Sequence, residues 1–204
     1  MHWIEKNVDI RFNPQLLLEN SKTAIVVLQG HKNAGRNKTD ENAACGKIAR
    51  SMAQEEDYHV SMKRKLKELS EKILDAVPEA KFRPCVDTAP ILEKYWAQEA
   101  GLGVIGKNTV FISDKIGSFC NIGILLTDIN LAQSPKSPHK NFCENCEKCM
   151  KSCPTKALVS PYTLDCNKCI SYQSQKKTNP NFDCLGWELG CDICQEVCPR
   201  NGAL

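Results

Sequence analysis

The sequence has no apolar run that approaches the roughly 20 residues needed to span a bilayer. Its first residues, Met1 to Lys6, lack the basic patch and apolar stretch of a secretory signal. It also lacks a strong excess of either charge. The net charge of +3 permits a nucleic-acid partner without arguing for one. These absences predict a soluble, cytoplasmic protein with no membrane partner.

Cysteine is the residue type in excess, with 13 in 204 residues. A disulfide framework is typical of short secreted chains, and nothing in this sequence indicates secretion. Ten of the cysteines follow Cys120, and most of these have two or three residues between one cysteine and the next. In a cytoplasmic protein this spacing predicts metal ligands.

Apolar patterning before residue 130 predicts an α/β or α+β domain with a mixed sheet, because helices and strands alternate. Residues 131–142 are rich in Pro, Ser and Lys and predict a linker. We therefore expect one domain over 1–130 and a cysteine-rich domain over 143–204. The predicted strands are 23–28, 82–86, 110–112 and 119–126, and the predicted helices are 57–76 and 90–100.

The first cysteine run has the spacing of bacterial ferredoxins, which hold two 4Fe–4S clusters. Three of its cysteines are expected to bind one cluster, and the fourth to begin a helix and bind the other cluster. A proline follows the fourth cysteine. The run comprises Cys143, Cys146, Cys149 and Cys153, and the proline is Pro154.

The second run, Cys191, Cys194 and Cys198, lacks a leading cysteine because residue 188 is Glu. Cluster 1 is therefore predicted on Cys143, Cys146, Cys149 and Cys198. Cluster 2 is predicted on Cys153, Cys191, Cys194 and one more cysteine. Spacing leaves Cys166, Cys169 and Cys184 open for that position.

Structural zinc is the main alternative, but it does not explain the two Cys-x-x-x-Cys-Pro endings. The isolated cysteines Cys45, Cys85 and Cys120 are expected to be small buried hydrophobic residues. Residues 101–106 match the dinucleotide-binding pattern GxGxxG, but a predicted helix precedes them and a strand follows. We therefore reject dinucleotide binding and expect the glycines to allow a close backbone approach.

Several segments, in order over nearly the whole chain, resemble the epoxyqueuosine reductase family, the cobalamin- and iron–sulfur-dependent enzymes of queuosine-tRNA biosynthesis. Their joint occurrence is more specific than any single one. They are residues 57–59 (Asp-Tyr-His), 86–94 (Val-Asp-Thr-Ala-Pro-Ile-Leu-Glu-Lys), 100–108, 117–118, 153–158, 169–172 (Cys-Ile-Ser-Tyr) and 190–195.

The resemblance implies reduction of epoxyqueuosine to queuosine at the tRNA wobble position, with electrons passing through two 4Fe–4S clusters to cobalamin. It implies a cobalamin-binding domain followed by a ferredoxin-like domain. Asp87 matches the family's proton donor, and we expect burial to keep its carboxyl protonated. From spacing alone, Asp87 would be a turn residue before Pro90.

The resemblance also assigns the open cluster ligand to Cys169. It implies a tRNA anticodon stem-loop as partner, a flavodoxin or ferredoxin as electron donor, and a monomer. Lys176 is a candidate tRNA contact. The implied cobalamin contacts are Arg11, Arg50, Asp87, Phe111, Ile122, Ser171, Cys191 and Asp192.

The sequence departs from the family in places. The chain starts just before the Arg11 element, so we expect the family's N-terminal segment to be missing. Residues 173–175 and Arg200 differ from the usual family residues. Because they lie where tRNA could approach, they leave the identity of the substrate more open than the clusters. Two alternatives therefore stay open: a dicluster electron-transfer protein, and a related corrinoid reductase with another substrate.

Overall fold

The computed structural model describes residues 5–31, 46–133 and 142–201. In chain order, its helices are α1 (Val8–Phe12), α2 (Tyr58–Leu74), α3 (Glu93–Glu99), α4 (Lys148–Ser152), α5 (Ile170–Lys176) and α6 (Ile193–Glu196). Its strands are β1 (Thr23–Gly30), β2 (Lys47–Ile48), β3 (Phe82–Cys85), β4 (Gly103–Ile105), β5 (Phe111–Ser113), β6 (Cys120–Thr127), β7 (Leu158–Ser160), β8 (Thr163–Leu164) and β9 (Trp187–Leu189). Short 3₁₀ turns lie at Pro14–Leu16, Cys166–Lys168 and Pro199–Asn201.

The chain forms two compact units, each assembled from three separate segments. Unit 1 comprises Met1–Gln29, Glu56–Leu102 and Asn121–Pro138. Unit 2 comprises Gly30–Glu55, Gly103–Cys120 and His139–Leu204. The division therefore differs from the linear boundary expected at residues 131–142.

Unit 1 contains a three-stranded sheet in the order β1-β6-β3. Residues on β6 alternate between its faces, as the two-residue period of a strand requires. Leu125 packs with Met62 and Leu66 of α2 in one cluster. Its neighbours Ile124 and Leu126 pack with Ile91 in another. Both faces are thus covered by apolar side chains.

The three strands of this sheet do not form the predicted mixed arrangement. β3 and β6 are antiparallel. Backbone hydrogen bonds from Lys22 to Thr127 and from His31 to Phe119 give β1 and β6 opposite directions as well. β1 and β3 therefore run parallel to each other, as the alternation of strand and helix suggested, but β6 separates them.

Helix α2 begins where the sequence indicates, because the Asp57 side chain caps it by accepting the His59 backbone N–H at 2.7 Å. Helix α3 begins three residues later than expected. Pro90 lies instead in a turn in which the Ile91 N–H donates to the Ala89 carbonyl at 2.8 Å. The predicted stop at Gly101 is confirmed, and that residue has φ of 73°.

Unit 2 joins distant parts of the chain. β2 pairs in parallel with β9, and the Ala49 N–H donates to the Leu189 carbonyl at 2.8 Å. Ala49, Ile170 and Trp187 form its buried cluster. These hydrogen bonds and packed side chains tie residues 46–50 to the cysteine-rich segment, which explains why the linear boundary does not appear in this division.

Two small antiparallel pairs, β4 with β5 and β7 with β8, complete unit 2. A Cβ on Gly103 would collide with the Ile112 backbone across the first pair. This close approach confirms the expected role of the glycines, and a strand pair follows them where dinucleotide binding would need a helix. In the ranges given above, no helix combines the length and apolar character of a bilayer span.

Candidate functional site

Four cysteines of unit 2 line one cavity together with Phe142 and Arg200. The Cys146 N–H donates to the Cys143 carbonyl at 3.1 Å, which folds the first two cysteines into a tight turn. Burial raises the pKa of the Cys149 thiol, and the neighbouring thiols raise it further. The four are Cys143, Cys146, Cys149 and Cys198, the set predicted for cluster 1.

Cys153 does not begin a helix, contrary to expectation. It follows α4 with φ of −70° and ψ of 110°, because the ring of the following Pro154 disfavours a helical conformation at this position. Its Sγ accepts the Ala157 N–H at 3.3 Å. Burial raises the pKa of this thiol, but hydrogen bonds from Thr155, Ala157 and Leu158 outweigh burial and lower it. The site therefore favours a thiolate.

A second group of thiols lies around Cys194. Burial, and then the charges of Cys191, Cys169, Cys149 and Cys153, raise the pKa of the Cys194 thiol to about 12. Burial similarly raises the pKa of Cys191 to about 11, with Cys169 and Cys153 contributing. The structure therefore brings Cys153, Cys169, Cys191 and Cys194 near one another, and Cys149 of the first group is a neighbour of Cys194 as well.

The two other candidates for the eighth ligand differ in their surroundings. Cys166 lies close enough to Cys169 for its charge to raise the pKa of that thiol, although burial is the larger cause. Cys184 packs against the apolar cluster around Trp187. Cys166 is thus the nearer alternative to Cys169.

The donor set fits two iron–sulfur clusters. The twelve cysteines in the part of the chain that the structure describes are not joined in disulfides, and eight of them form the two groups above. In the same part, no three His, Cys, Asp or Glu side chains converge closely enough to share a single metal ion. The fit to 4Fe–4S clusters therefore rests on each group consisting of four cysteines, the ligands that such a cluster uses.

Of the isolated cysteines, Cys85 is fully buried, as expected. Cys120 is half-buried, and burial raises the pKa of its thiol to about 11. Cys45 lies outside the described residues.

In unit 1, Asp87 follows β3 at a turn and has φ of 40°, a left-handed conformation uncommon for a residue other than glycine. Its Oδ2 lies 3.2 Å from Nε2 of His59. The other ring nitrogen, Nδ1, lies 2.7 Å from Oδ1 of Asp57. The imidazole of His59 thus bridges two carboxylates and orients the side chain of Asp87.

These contacts alter the titration of His59. Burial lowers the pKa of His59, but the hydrogen bonds and charges of Asp57 and Asp87 outweigh burial and raise it. Hydrogen bonds from the backbone and the side chain of His59 lower the pKa of Asp57. A protonated imidazole between the two carboxylates is therefore favoured.

The structure does not bury Asp87, contrary to the expectation that burial keeps its carboxyl protonated. The side chain is 62% exposed, because it projects from the turn after β3. The buried carboxyl nearby belongs to Glu93, the first residue of α3. Burial, and then the charge of Asp87, raise the pKa of Glu93 to about 7.

Sequence reasoning missed roles for His59, Tyr58 and Glu93, although all three lie in the segments that carry the family resemblance. Burial, and then the charge of Asp87, raise the pKa of Tyr58. The Asp57-x-His59 spacing at a helix start was the available signal, since an N-cap residue holds a side chain two positions later nearby.

The predicted cobalamin contacts fall on both units. In unit 1, Arg11 and Ile122 are half-buried and Asp87 is exposed. In unit 2, Arg50, Ser171 and Cys191 are half-buried. These six offer some surface to a ligand, whereas Phe111 is only 3% exposed and Asp192 only 2%.

Asp192 is instead engaged within the protein. Its Oδ2 accepts the Arg50 backbone N–H at 2.7 Å, and its Oδ1 accepts from Gln195 at 3.3 Å. The Arg50 guanidinium lies 4.1 Å from the centre of the Phe119 ring. Asp192 therefore holds the backbone of Arg50, whose side chain is half-buried.

A hydrogen-bonded corner in unit 2 also escaped sequence reasoning. Asn201 accepts the Ser118 N–H at 2.7 Å and donates to the Ser118 hydroxyl at 2.8 Å. It also donates to the Gln195 carbonyl at 2.7 Å. This residue fixes the end of the cysteine-rich segment against the turn before β6, next to Cys194 and Cys198.

Lys176 is exposed at the end of α5. Lys177 follows it with φ of 47°, the left-handed conformation that often terminates a helix. The predicted tRNA contact at Lys176 is therefore accessible.

Two family models match the chain. One, described as "Epoxyqueuosine reductase QueG, DUF1730", matches residues 11–88. The other, a "4Fe-4S double cluster binding domain", matches residues 142–201. The second match covers both groups of cysteines.

Curated relatives are similar over nearly the whole chain. An epoxyqueuosine reductase of Cellulophaga algicola is 38% identical over 98% of this chain and 65% of its own length. One from Synechocystis is 39% identical over 94% of this chain and 66% of its own length. The chain thus spans slightly less than two thirds of these relatives.

A solved structure of an epoxyqueuosine reductase is also similar to this chain. It shows an epoxyqueuosine reductase with a tRNA-Tyr epoxyqueuosine-modified stem loop. It is 29% identical with a TM-score of 0.83, and the match covers 97% of this chain and 53% of that one.

Proposed function

Because the chain belongs to the epoxyqueuosine reductase family, we propose that it reduces epoxyqueuosine to queuosine at the wobble position of tRNA. The observation that carries this proposal is Asp87, an acid held by His59 in a chain that also holds two groups of four thiols. The relative with a bound epoxyqueuosine-modified stem loop supports the same substrate.

Two 4Fe–4S clusters are proposed on the two groups of thiols. Cluster 1 takes Cys143, Cys146, Cys149 and Cys198. Cluster 2 takes Cys153, Cys169, Cys191 and Cys194. The hydrogen bonds to Cys153 support this assignment, because a cluster ligand must be a thiolate.

Cobalamin is the second proposed cofactor, and with the clusters it supplies the electrons for the reaction when bound. Its proposed side-chain contacts are those with surface to offer: Arg11, Arg50, Asp87, Ile122, Ser171 and Cys191. Phe111 is a buried residue of β5, and Asp192 accepts a hydrogen bond from the backbone N–H of Arg50.

Asp87 supplies the proton chemistry. Loss of the epoxide oxygen as water consumes two electrons and two protons, and opening of the epoxide leaves an alkoxide oxygen. Asp87 delivers a proton to that oxygen, and its carboxylate takes up the proton from the His59 imidazolium, 3.2 Å away, or from the solvent to which its exposure leaves it accessible. His59 fixes the direction of the side chain.

The remaining proposals concern partners and location. Lys176 contacts a phosphate of the tRNA anticodon stem-loop. A flavodoxin or ferredoxin reduces the clusters. The protein acts as a monomer in the cytoplasm. Along the sequence, an α/β domain over 1–130 is followed by a ferredoxin-like domain over 143–204.

The substitution Asp87→Asn tests the function. Anaerobically reconstituted protein should convert epoxyqueuosine-tRNA to queuosine-tRNA, and the variant should lose about 100-fold or more in turnover, because an amide cannot donate the proton. Iron content should stay unchanged, and turnover is compared at equal cobalamin occupancy, because Asp87 is also a proposed cobalamin contact. Absence of queuosine from the parent protein loaded with both cofactors would refute the proposal, and equal turnover of parent and variant would exclude Asp87 as the donor.

A further inference from the structure

Lys107 lies outside the cysteine-rich segment, yet its side chain reaches the first group of cysteines. Its Nζ donates to the carbonyl of Glu144 at 3.0 Å and to the carbonyl of Cys146 at 3.2 Å. Both carbonyls belong to the turn that the Cys146 N–H closes on the Cys143 carbonyl. One ammonium therefore binds the backbone of a turn that carries two of the proposed ligands of cluster 1.

The backbone that presents this side chain is fixed on both sides. In the turn between β4 and β5, the Gly106 N–H donates to the Val110 carbonyl at 2.9 Å. The Lys107 carbonyl accepts the Tyr162 N–H at 3.0 Å. A fixed backbone lowers the conformational entropy that a long side chain loses when its end is bound. The Lys107 ammonium is thus held at one place beside Cys146.

No carboxylate neutralises this charge within the described residues. Glu144 meets Lys107 through its carbonyl oxygen. Glu147, the acidic residue after Cys146, forms its ion pair with Lys151 at 3.1 Å. Lys107 is also half-buried, so solvent ions screen its charge less than that of an exposed lysine. A positive charge therefore remains beside the cysteine turn.

Such a charge has a direct effect on an iron–sulfur cluster. The reduction potential of a cluster depends on the charge, the hydrogen bonds and the solvent exposure around it. When the proposed flavodoxin or ferredoxin gives one electron to cluster 1, the donor is oxidised and the cluster with its four thiolates becomes more negative. Lys107 attracts the more negative form more strongly and so favours the reduced state.

We propose that Lys107 is a positioning residue for cluster 1, whose ammonium holds the Cys143–Cys146 turn and raises the reduction potential of the cluster bound there. A given electron donor then reduces a larger fraction of cluster 1. This inference rests on the proposed function in its assignment of cluster 1 to these cysteines. It assigns Lys107 no contact with the substrate.

Redox titration of the cluster-loaded protein, followed by electron paramagnetic resonance of the reduced clusters, tests the inference. At a fixed potential, Lys107→Met should lower the ratio of reduced to oxidised cluster 1 by about tenfold, which is a midpoint about 60 mV more negative. Lys107→Arg keeps the charge and the donors and should match the parent. Lys115→Met removes the same charge from an exposed turn of unit 2, and this matched control should leave both midpoints unchanged.

Iron content separates the charge of Lys107 from its hold on the turn. Lys107→Gln is measured in parallel, because its amide is a neutral donor, and its midpoint should shift as that of Lys107→Met does while iron stays at about eight per chain. Unchanged midpoints in Lys107→Met and Lys107→Gln would overturn the inference, as would an equal shift in Lys115→Met or an equal shift of both clusters. Absence of iron from the reconstituted parent would refute the proposed clusters instead.

Discussion

At the scale of single residues, Asp87 must be accessible to substrate and must also keep one side-chain orientation. The proton donor of the proposed reaction must reach substrate, and the side chain of Asp87, proposed for that role, is exposed. It must also keep one orientation, which an exposed side chain on a turn does not keep unaided. His59 supplies that orientation through its contact with Asp87 Oδ2 at 3.2 Å, and its side chain is better buried than that of Asp87.

The titration of His59 gives the first prediction at this scale. Because Asp57 and Asp87 raise the pKa of His59 above its ordinary value of 6.5, Asp87→Asn and Asp57→Ser should each lower it. Serine at position 57 still caps α2, so the helix is kept. NMR titration of the histidine Cε1–H signals of the oxidised, cluster-loaded protein measures the change.

The three other histidines serve as internal controls, and their signals should not move. The same shift has a consequence for stability. Because the folded-state pKa of His59 is raised, its ion pairs stabilise the fold fully below pH 6.5 and lose that effect as pH rises through the folded value. A His59 signal that titrates identically in parent and variants would show that the bridge to the carboxylates does not form.

At the scale of elements, the turn between β5 and β6 depends on one glycine. Gly117 has φ of 67°, and a Cβ at this position would collide with Oδ1 of Asn201. That oxygen is the acceptor for the Ser118 N–H. A side chain at 117 would therefore strain the backbone and also displace the Asn201 corner.

Gly117→Ala should accordingly destabilise the protein by about 2 to 4 kcal/mol, combining left-handed strain with overpacking. Gly186→Ala is the matched control, since Gly186 has φ of 79° but no atom within 4 Å of the added Cβ. It should cost only about 1 kcal/mol. Urea denaturation of both cluster-loaded variants compares them, and equal losses would show that the contact with Asn201 is unimportant.

Features of the helices and strands were predictable from the sequence where they depend on residues close together in the chain. Capping by Asp57, the apolar face of α2 and the helix stop at Gly101 depend on neighbouring residues, so they were predictable. The position of β6 between β1 and β3 was not, because pairing across about a hundred residues leaves no local pattern. The same holds for Asn201 and Ser118.

The burial of the site residues was equally hard to predict. Spacing identified the cysteines and the resemblance identified Asp87, but neither indicates exposure. The buried carboxyl of raised pKa proved to be Glu93, six residues later. Burial arises from packing of α3, and no residue in the segment 86–94 encodes it alone.

At the scale of the whole molecule, the chain crosses between its two units several times. Residues 30–55 and 103–120 belong with the cysteine-rich segment, although the sequence places them before residue 130. Asn108 donates to the Cys194 carbonyl at 3.3 Å, and Lys107 Nζ donates to the Cys146 carbonyl at 3.2 Å. Residues outside the ferredoxin-like sequence therefore help to hold the backbone of both groups of cysteines.

The eighth cluster ligand is the remaining question at this scale, and iron content decides it. Cys169→Ser should reduce iron from about eight to about four per chain, because cluster 2 loses one of its four thiolates. Cys166→Ser and Cys184→Ser are matched controls in the same segment and should retain about eight. Cys166 is the stricter control, since it lies beside Cys169 whereas Cys184 packs against Trp187. Loss of iron from Cys166→Ser with full retention in Cys169→Ser would reassign the ligand to Cys166, and loss from both would indicate that the 3₁₀ turn at Cys166–Lys168 must stay intact for the cluster to bind.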